Sequence, residues 1–180
     1  DQISELLFIH SPEAADNLFA GGTPGCVLVY VDAWTTFGGS QFVDSPGTGP
    51  YHSYLCDEIV PWVDEHYRTL PDRESRAIAG KSSGGYGAMI TPMLRPDVFG
   101  ALATHAGDSL YELSYVPDFG KAVRALRGYG QDIQAWWADF RSRPAFTEPE
   151  DATLLMMLGI SACFSARDDG TPELPFDPLT

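Results

Sequence analysis

The sequence is poor in residues that bind metals or form disulfides. Its 180 residues include three cysteines and four histidines. Cys26, Cys56 and Cys163 are far apart and odd in number, which indicates buried, reduced thiols. No His or Cys cluster has the spacing of a metal site. The sequence therefore argues against a disulfide-stabilised scaffold, and we expect neither a metal nor a cofactor.

Positive charge is also scarce, because 11 Lys and Arg residues face 25 Asp and Glu residues, a net charge of −14. This balance argues against nucleic acids and anionic membrane surfaces as partners. No apolar run reaches the length of about 20 residues that a membrane-spanning helix needs. We expect a cytoplasmic protein that acts on a small molecule, with a homo-oligomer possible. The chain begins at Asp1 and not at Met, so a removed N-terminal segment, such as a signal peptide, is compatible with this expectation.

Hydrophobic periodicity predicts helices that alternate with strands. A length of 180 residues suits one domain with its own core. The predicted order is helix 12–20 with Ser11 as N-cap, strand 26–31, helix 51–67, strand 76–79, helix 83–94 and strand 98–105. Pro61 should kink or divide the third of these elements. Such alternation predicts an α/β fold with a parallel sheet.

Four acidic residues belong to the predicted helix 51–67. Asp57, Glu58, Asp64 and Glu65 could suggest general acid–base chemistry, but a solvated helix face is the favoured interpretation. The two histidines of this segment, at positions 52 and 66, are interpreted as structural or exposed.

Two regions without a clear sheet pattern remain open between two interpretations. Residues 32–50 form a long Gly-rich loop after the carboxyl end of a strand, where α/β sheets place ligands. Trp34 and Phe37 would either line a pocket there or pack the loop on itself. Residues 117–165 are predicted to be helical and rich in aromatics, with interruptions at Pro144 and Pro149. They would form a cap over a pocket or an ordinary packed layer, and residues 168–178 read as a turn-rich tail.

The stretch that carries chemistry is residues 76–89, RAIAGKSSGGYGAM. A short apolar run enters a turn at G-x-S-x-G, with Ser82 at its centre, and a small-residue helix leaves it. This is the sequence form of a nucleophile elbow, in which a serine is held on a strained strand-to-helix turn. Gly80 and Gly84 are expected where a Cβ would crowd the turn. Gly85 and the residues after it should let the helix pack closely on the sheet.

Two other patterns share features with this stretch. A Gly-rich strand-to-helix turn without chemistry would also show the pattern. A phosphate loop is suggested by Gly80-Lys81-Ser82, but that motif needs another glycine where Ser75 stands. The residues between them read as a strand, so the phosphate loop is rejected.

Three segments resemble the putative esterase family of α/β-hydrolases, which is related to S-formylglutathione hydrolases, feruloyl esterases and mycolyltransferases. The segments are GKSSGGYGA at 80–88, FGGSQ within 34–45, and HAGDS at 105–109, where Ala106 departs from the usual serine. The resemblance runs from about residue 26 to 112. It implies an α/β-hydrolase fold with a mostly parallel sheet and flanking helices. The whole chain would be one partial domain, with residues 110–165 as a helical insertion.

The resemblance implies that Ser82 is the nucleophile and that the Ser83 backbone N–H is an oxyanion-hole donor. Trp34, His105 and Asp108 are the candidates for the substrate pocket. In this fold the acid and then the histidine follow the serine, yet His105 is the one histidine after Ser82. His105 is expected beside the elbow and not across from it. It is therefore a minor candidate for the base, and the acid, the base and the first strands are expected outside a fragment that is inactive by itself.

The function expected from this resemblance is hydrolysis of a carboxylic ester or thioester through an acyl-enzyme on Ser82. Acyl transfer to an alcohol or sugar would use the same elbow. A non-catalytic binding module on the hydrolase fold is the alternative from another class, and the intact glycines around Ser82 argue against it.

Overall fold

The structure is a computed structural model that describes residues 11–179. The chain divides after Tyr30 into two compact units. The described part of the first unit contains one helix, α1, Ser11–Ala20. The prediction of a helix over 12–20 is confirmed, with Ser11 as its first residue.

The prediction of a strand over residues 26–31 was wrong, because no strand forms there. The side chains from Val27 to Tyr30 are 46–58% exposed. A continuous apolar run becomes a buried parallel strand only where both of its faces are covered. Cys26 is exposed as well, contrary to expectation, whereas Cys56 and Cys163 are buried free thiols as predicted.

The second unit begins with two small antiparallel hairpins where a loop without regular structure was predicted. Strands β1, Trp34–Thr35, and β2, Gly38–Gly39, form the first, and β3, Asp44–Ser45, and β4, Gly49–Pro50, form the second. Strands of two residues are too short to show an alternating pattern of apolar and polar residues, so no sequence pattern predicted them.

The helical segment that follows is divided into three parts. Helix α2, Tyr51–Ser53, passes into a π-helical turn, Tyr54–Ile59, and then into α3, Val60–His66. Pro61 lies at the start of α3, where its missing N–H interrupts the regular hydrogen-bond ladder, as expected.

The Trp62 side chain in this segment is 51% exposed. It stacks on His66 at 4.3 Å between ring centroids. Two of the four acids form ion pairs, Asp57 with Arg95 and Asp64 with Arg76. Asp64 is only 20% exposed, so the face is not solvated throughout.

The one parallel pair of strands in residues 31–179 carries the elbow. A 3₁₀ turn, Arg73–Ser75, leads into β5, Ala77–Lys81, and helix α4, Ser83–Leu94, connects β5 to β6, Ala101–His105. Strand β5 pairs with β6 in register from Ala77–Ala101 to Lys81–His105. The predicted strand–helix–strand order is confirmed here, and the predicted larger sheet is reduced to two strands.

The chain after β6 is helical, as predicted. The elements are α5, Tyr111–Ser114, α6, Val116–Leu126, a 3₁₀ turn at Arg127–Tyr129, α7, Ile133–Ser142, and α8, Asp151–Phe164. They enclose the largest apolar cluster, which centres on the buried side chains Leu126, Trp136, Leu154, Met157 and Leu158. A smaller cluster of Leu55, Cys56, Val98 and Phe99 lies elsewhere in the unit. The longest described helix, α8, has 14 residues, and none in residues 11–179 is long and apolar enough to cross a membrane.

Candidate active site

Ser82 occupies the turn between β5 and α4 in a strained conformation. It has φ +55° and ψ −123°, a left-handed backbone that costs a residue with a side chain on the order of 1–3 kcal/mol. The side chain is exposed. The strand, turn and helix stand in the order that a nucleophile elbow requires.

The glycines around the elbow differ in what they permit. A Cβ on Gly80 would fall on the carbonyl oxygen of Gly84, so only glycine fits at position 80. A Cβ on Gly85 would lie 2.9 Å from the Gly107 Cα, which shows how closely α4 approaches the end of β6. Gly84 was expected to be crowded, but a Cβ there would meet nothing within 4 Å. A methyl group would therefore fit at position 84, and the expectation of crowding there was wrong.

Ser83 is the first residue of α4. The first N–H groups of a helix have no acceptor within the helix, and the helix dipole favours negative charge at this end. The Ser83 N–H follows the candidate nucleophile directly, so it can stabilise an oxyanion that forms at the Ser82 side chain.

His105 is the last residue of β6, the strand beside the elbow, and Asp108 follows three residues later. The Ser82 N–H donates to the His105 carbonyl at 3.0 Å, and the His105 side chain is exposed. Asp108 accepts a hydrogen bond from the Tyr115 hydroxyl at 3.0 Å. Burial and the neighbouring Asp108 carboxylate raise the pKa of Tyr115, which stays protonated as the donor of this bond.

Trp34 and Phe37 differ in their surroundings, although the sequence left the same two interpretations open for both. Trp34 is 61% exposed. It lines an open cavity of about 390 Å³, together with Asp32, Thr48, Gly49, Pro50, Tyr51, Tyr54 and Glu58. Phe37 packs on the helical cluster instead, 5.5 Å from the Trp137 ring. One aromatic faces a cavity, and the other fastens the loop to the helices.

Sequence reasoning missed Gln41 and Tyr115. The Gln41 side chain is 6% exposed, and its Nε2 lies 3.2 Å from Ser83 Oγ and 3.4 Å from the Tyr115 hydroxyl. These contacts join residues that are 42 and 74 positions apart in the chain. No local pattern reports such a distant contact. The sequence sign for Gln41 was its place in the FGGSQ segment that resembles the family.

Among residues 11–179, no group of three or more His, Cys, Asp or Glu side chains is arranged to hold a metal ion.

The chain is similar to short parts of several longer proteins. It is 30% identical over 77 residues to an endo-1,4-beta-xylanase/feruloyl esterase of Xylanibacter ruminicola, a match that covers 43% of this chain and 10% of that protein. Esterase Rv1288 of Mycobacterium tuberculosis is 30% identical over 84 residues, which cover 47% of the chain and 17% of the relative. The uncharacterized protein YbbA of Bacillus subtilis is 27% identical over 90 residues, which cover 50% of the chain and 33% of the relative.

A family model also matches this chain. The model described as "Putative esterase" covers residues 37–159, which is more than half of the sequence. The match includes the second hairpin, the elbow, both parallel strands and most of the helical region. The resemblance noticed in the elbow is thus confirmed, and the chain belongs to the putative esterase family of the α/β-hydrolase superfamily.

Proposed function

We propose that this chain carries the nucleophile of an enzyme that hydrolyses carboxylic esters or thioesters, and that the nucleophile is Ser82. The observation that supports this most directly is the strained φ of +55° at Ser82, between β5 and α4. A backbone strain that a scaffold does not need is a sign of function. Family membership and the word esterase in the names of two relatives agree with the proposal.

The reaction would proceed through an acyl-enzyme. A general base takes the Ser82 Oγ proton while the oxygen attacks the carbonyl carbon of the substrate. The carbonyl oxygen becomes an oxyanion, and the Ser83 N–H donates to it. The tetrahedral intermediate collapses, the proton passes to the leaving alcohol or thiol, and the acyl group stays on Ser82. Water, activated by the same base, then releases the acid and restores the serine.

We infer that the base and the acid that orients it come from parts of the polypeptide outside these 180 residues. His105 contributes its carbonyl to the elbow, and Asp108 accepts a hydrogen bond from Tyr115. The chain spans between 10% and 33% of the lengths of the three relatives described above. Loss of a triad member costs on the order of 10⁴-fold in rate, so this chain alone should hydrolyse esters very slowly.

The proposal is tested on the full-length gene product with a fluorophosphonate probe and a p-nitrophenyl ester. We expect Ser82→Ala to lose both labelling and hydrolysis. Ser109→Ala is the matched control, because Ser109 is an exposed serine after β6 and outside the elbow, and it should leave both unchanged. Labelling or hydrolysis that persists in Ser82→Ala would remove Ser82 from the role of nucleophile.

A further inference from the structure

A strained, buried segment of the loop lies against the elbow helix. Gln41 and Phe42 are consecutive residues with φ of +56° and +55°. The segment contacts the first two turns of α4 at Ser83 and at Gly87, which are four residues apart and therefore on one helix face. A Cβ on Gly87 would lie 2.6 Å from the Phe42 ring. The loop is thus fitted closely to the helix that begins at the candidate oxyanion donor.

Holding Gln41 in this place has an energetic cost. Left-handed backbone at residues with side chains costs on the order of 1–3 kcal/mol each. The Gln41 Oε1 is also buried, and it accepts no hydrogen bond from any described residue. Buried polar atoms without partners are rare in folded proteins. The loop keeps a left-handed backbone and a buried oxygen without a partner where it contacts Ser83. This indicates a functional reason for Gln41.

The direction of the hydrogen bonds fixes the orientation of the Gln41 amide. The Tyr115 hydroxyl donates its proton to Asp108, so the Tyr115 oxygen is left to accept from Gln41. That acceptance requires the Nε2 end of the amide to face Tyr115. The second Nε2 hydrogen then points to Ser83 Oγ. Asp108 and Tyr115 thereby anchor a donor that holds the Ser83 side chain from outside the elbow.

We propose that Gln41 is a positioning residue that holds Ser83, and with it the Ser83 N–H, in the place where the oxyanion forms. This inference rests on the proposed function of Ser82 and Ser83. An oxyanion donor acts through its position, because it stabilises the transition state only when it lies within about 3 Å of the developing charge. Gln41 fixes that position through the Ser83 hydroxyl, and Tyr115 fixes Gln41.

The test compares kcat and KM for a p-nitrophenyl ester in variants of the full-length gene product. Loss of a whole oxyanion donor costs on the order of 10²- to 10³-fold in kcat. For Gln41→Leu, which displaces the donor without removing it, we expect a fall in kcat on the order of 10- to 100-fold with KM nearly unchanged. Tyr115→Phe should lower kcat on the order of 10-fold by the same mechanism. Tyr129→Phe is the matched control, because the Tyr129 hydroxyl also donates to a carboxylate, that of Asp139 at 3.1 Å, and its kcat should equal that of wild type.

A second measurement separates positioning from general stabilisation. Ser83→Ala removes the hydroxyl that Gln41 holds but keeps the backbone N–H. If Gln41 acts through Ser83, the kcat of the Gln41→Leu/Ser83→Ala double variant should be no lower than that of the slower single variant. A double-mutant cycle measures this. Losses that multiply would overturn the inference, as would a Gln41→Leu enzyme with wild-type kcat. If Gln41→Leu does not fold, the double-mutant cycle of Tyr115→Phe and Ser83→Ala tests the inference in its place.

Failure of this inference is distinguishable from failure of the proposed function. Activity that survives in Ser82→Ala would show that Ser82 is not the nucleophile, and both proposals would then be wrong. Activity that is lost in Ser82→Ala but unchanged in Gln41→Leu and Tyr115→Phe overturns the role of Gln41 alone.

Discussion

The backbone N–H of Ser82 donates a hydrogen bond of 3.0 Å to the backbone carbonyl of His105. This bond continues the parallel ladder one step beyond the last pair in register, Lys81 and His105. It ties the strained turn to the end of the neighbouring strand, so the conformation of Ser82 depends on a residue 23 positions later in the chain. The contribution of His105 to this contact comes from its main chain, which any residue could supply.

The first prediction concerns His105→Ala in the full-length gene product. The substitution keeps the carbonyl that holds Ser82, so we expect kcat/KM for a p-nitrophenyl ester to fall less than about 10-fold. Loss of a true general base costs on the order of 10⁴-fold. A fall of 10²-fold or more would make His105 the base and contradict the inference that the base lies outside this chain.

The second prediction compares two glycines of the same motif. Gly80→Ala would push a methyl group into the Gly84 carbonyl oxygen, and we expect it to lower the free energy of unfolding by roughly 3 kcal/mol or more. Gly84→Ala meets open space in the first turn of α4, and alanine is the better helix former by up to about 1 kcal/mol. It should be neutral or stabilising. Urea denaturation of both variants beside wild type is the measurement, and equal losses would show that the turn is packed differently.

Asp151 is the most completely bound carboxylate among the described residues. It is 0% exposed and pairs with both Arg143 Nη atoms at 2.6 and 2.7 Å. It also accepts from Trp136 Nε1 and from the backbone N–H groups of Thr147 and Glu148. The Arg143 guanidinium is the main cause that holds the pKa of Asp151 well below its usual range.

The third prediction follows from this arrangement. Asp151→Asn should lower the free energy of unfolding by about 3 kcal/mol at pH 7, because it removes the buried partner of the Arg143 guanidinium and leaves it only the more exposed Asp139. The native pKa is depressed, so the contribution is fully present above the unfolded value of about 3.9 and is lost as the pH falls through the native pKa. The difference from wild type should therefore shrink in acid. Glu150→Gln, an exposed neighbour, is the control that should change little at any pH. Denaturant titrations at several pH values measure both, and a difference that grows in acid would contradict the assignment.

The fourth prediction concerns the three thiols. Burial raises the pKa of Cys56 to about 11 and that of Cys163 to about 12. At pH 8 their reactive thiolate fraction is below about one in a thousand, whereas Cys26 is exposed. Iodoacetamide should therefore modify Cys26 alone in the folded protein and all three cysteines in denaturant, as peptide mass spectrometry would show. Rapid alkylation of Cys163 in the folded protein would mean that the helix carrying it opens readily.

Some elements were predictable because their signals are local. Helix α4 was predicted at its observed bounds, since the elbow marks its start and Arg95-Pro96 its end. The region after β6 was predicted to be helical, and the interruption expected at Pro144 and Pro149 is the break between α7 and α8. The 3₁₀ turn at Arg127–Tyr129 was not predicted. The strand over residues 26–31 was predicted wrongly, because its apolar composition indicates only that the segment would favour burial on both faces. Whether that burial occurs depends on other parts of the molecule.

The candidate site divides in the same way. The sequence by itself predicted the family, which is confirmed. It also indicated Ser82 and Ser83 as the proposed nucleophile and oxyanion donor, from the five-residue pattern and the resemblance to that family. The contacts among the polar residues of the site join a loop, the start of α4, the junction between α5 and α6, and the segment after β6, which contribute Gln41, Ser83, Tyr115 and Asp108 respectively. Only the tertiary structure decided which polar side chains meet, because a hydrogen bond depends on distance in space and no periodicity in the chain encodes it.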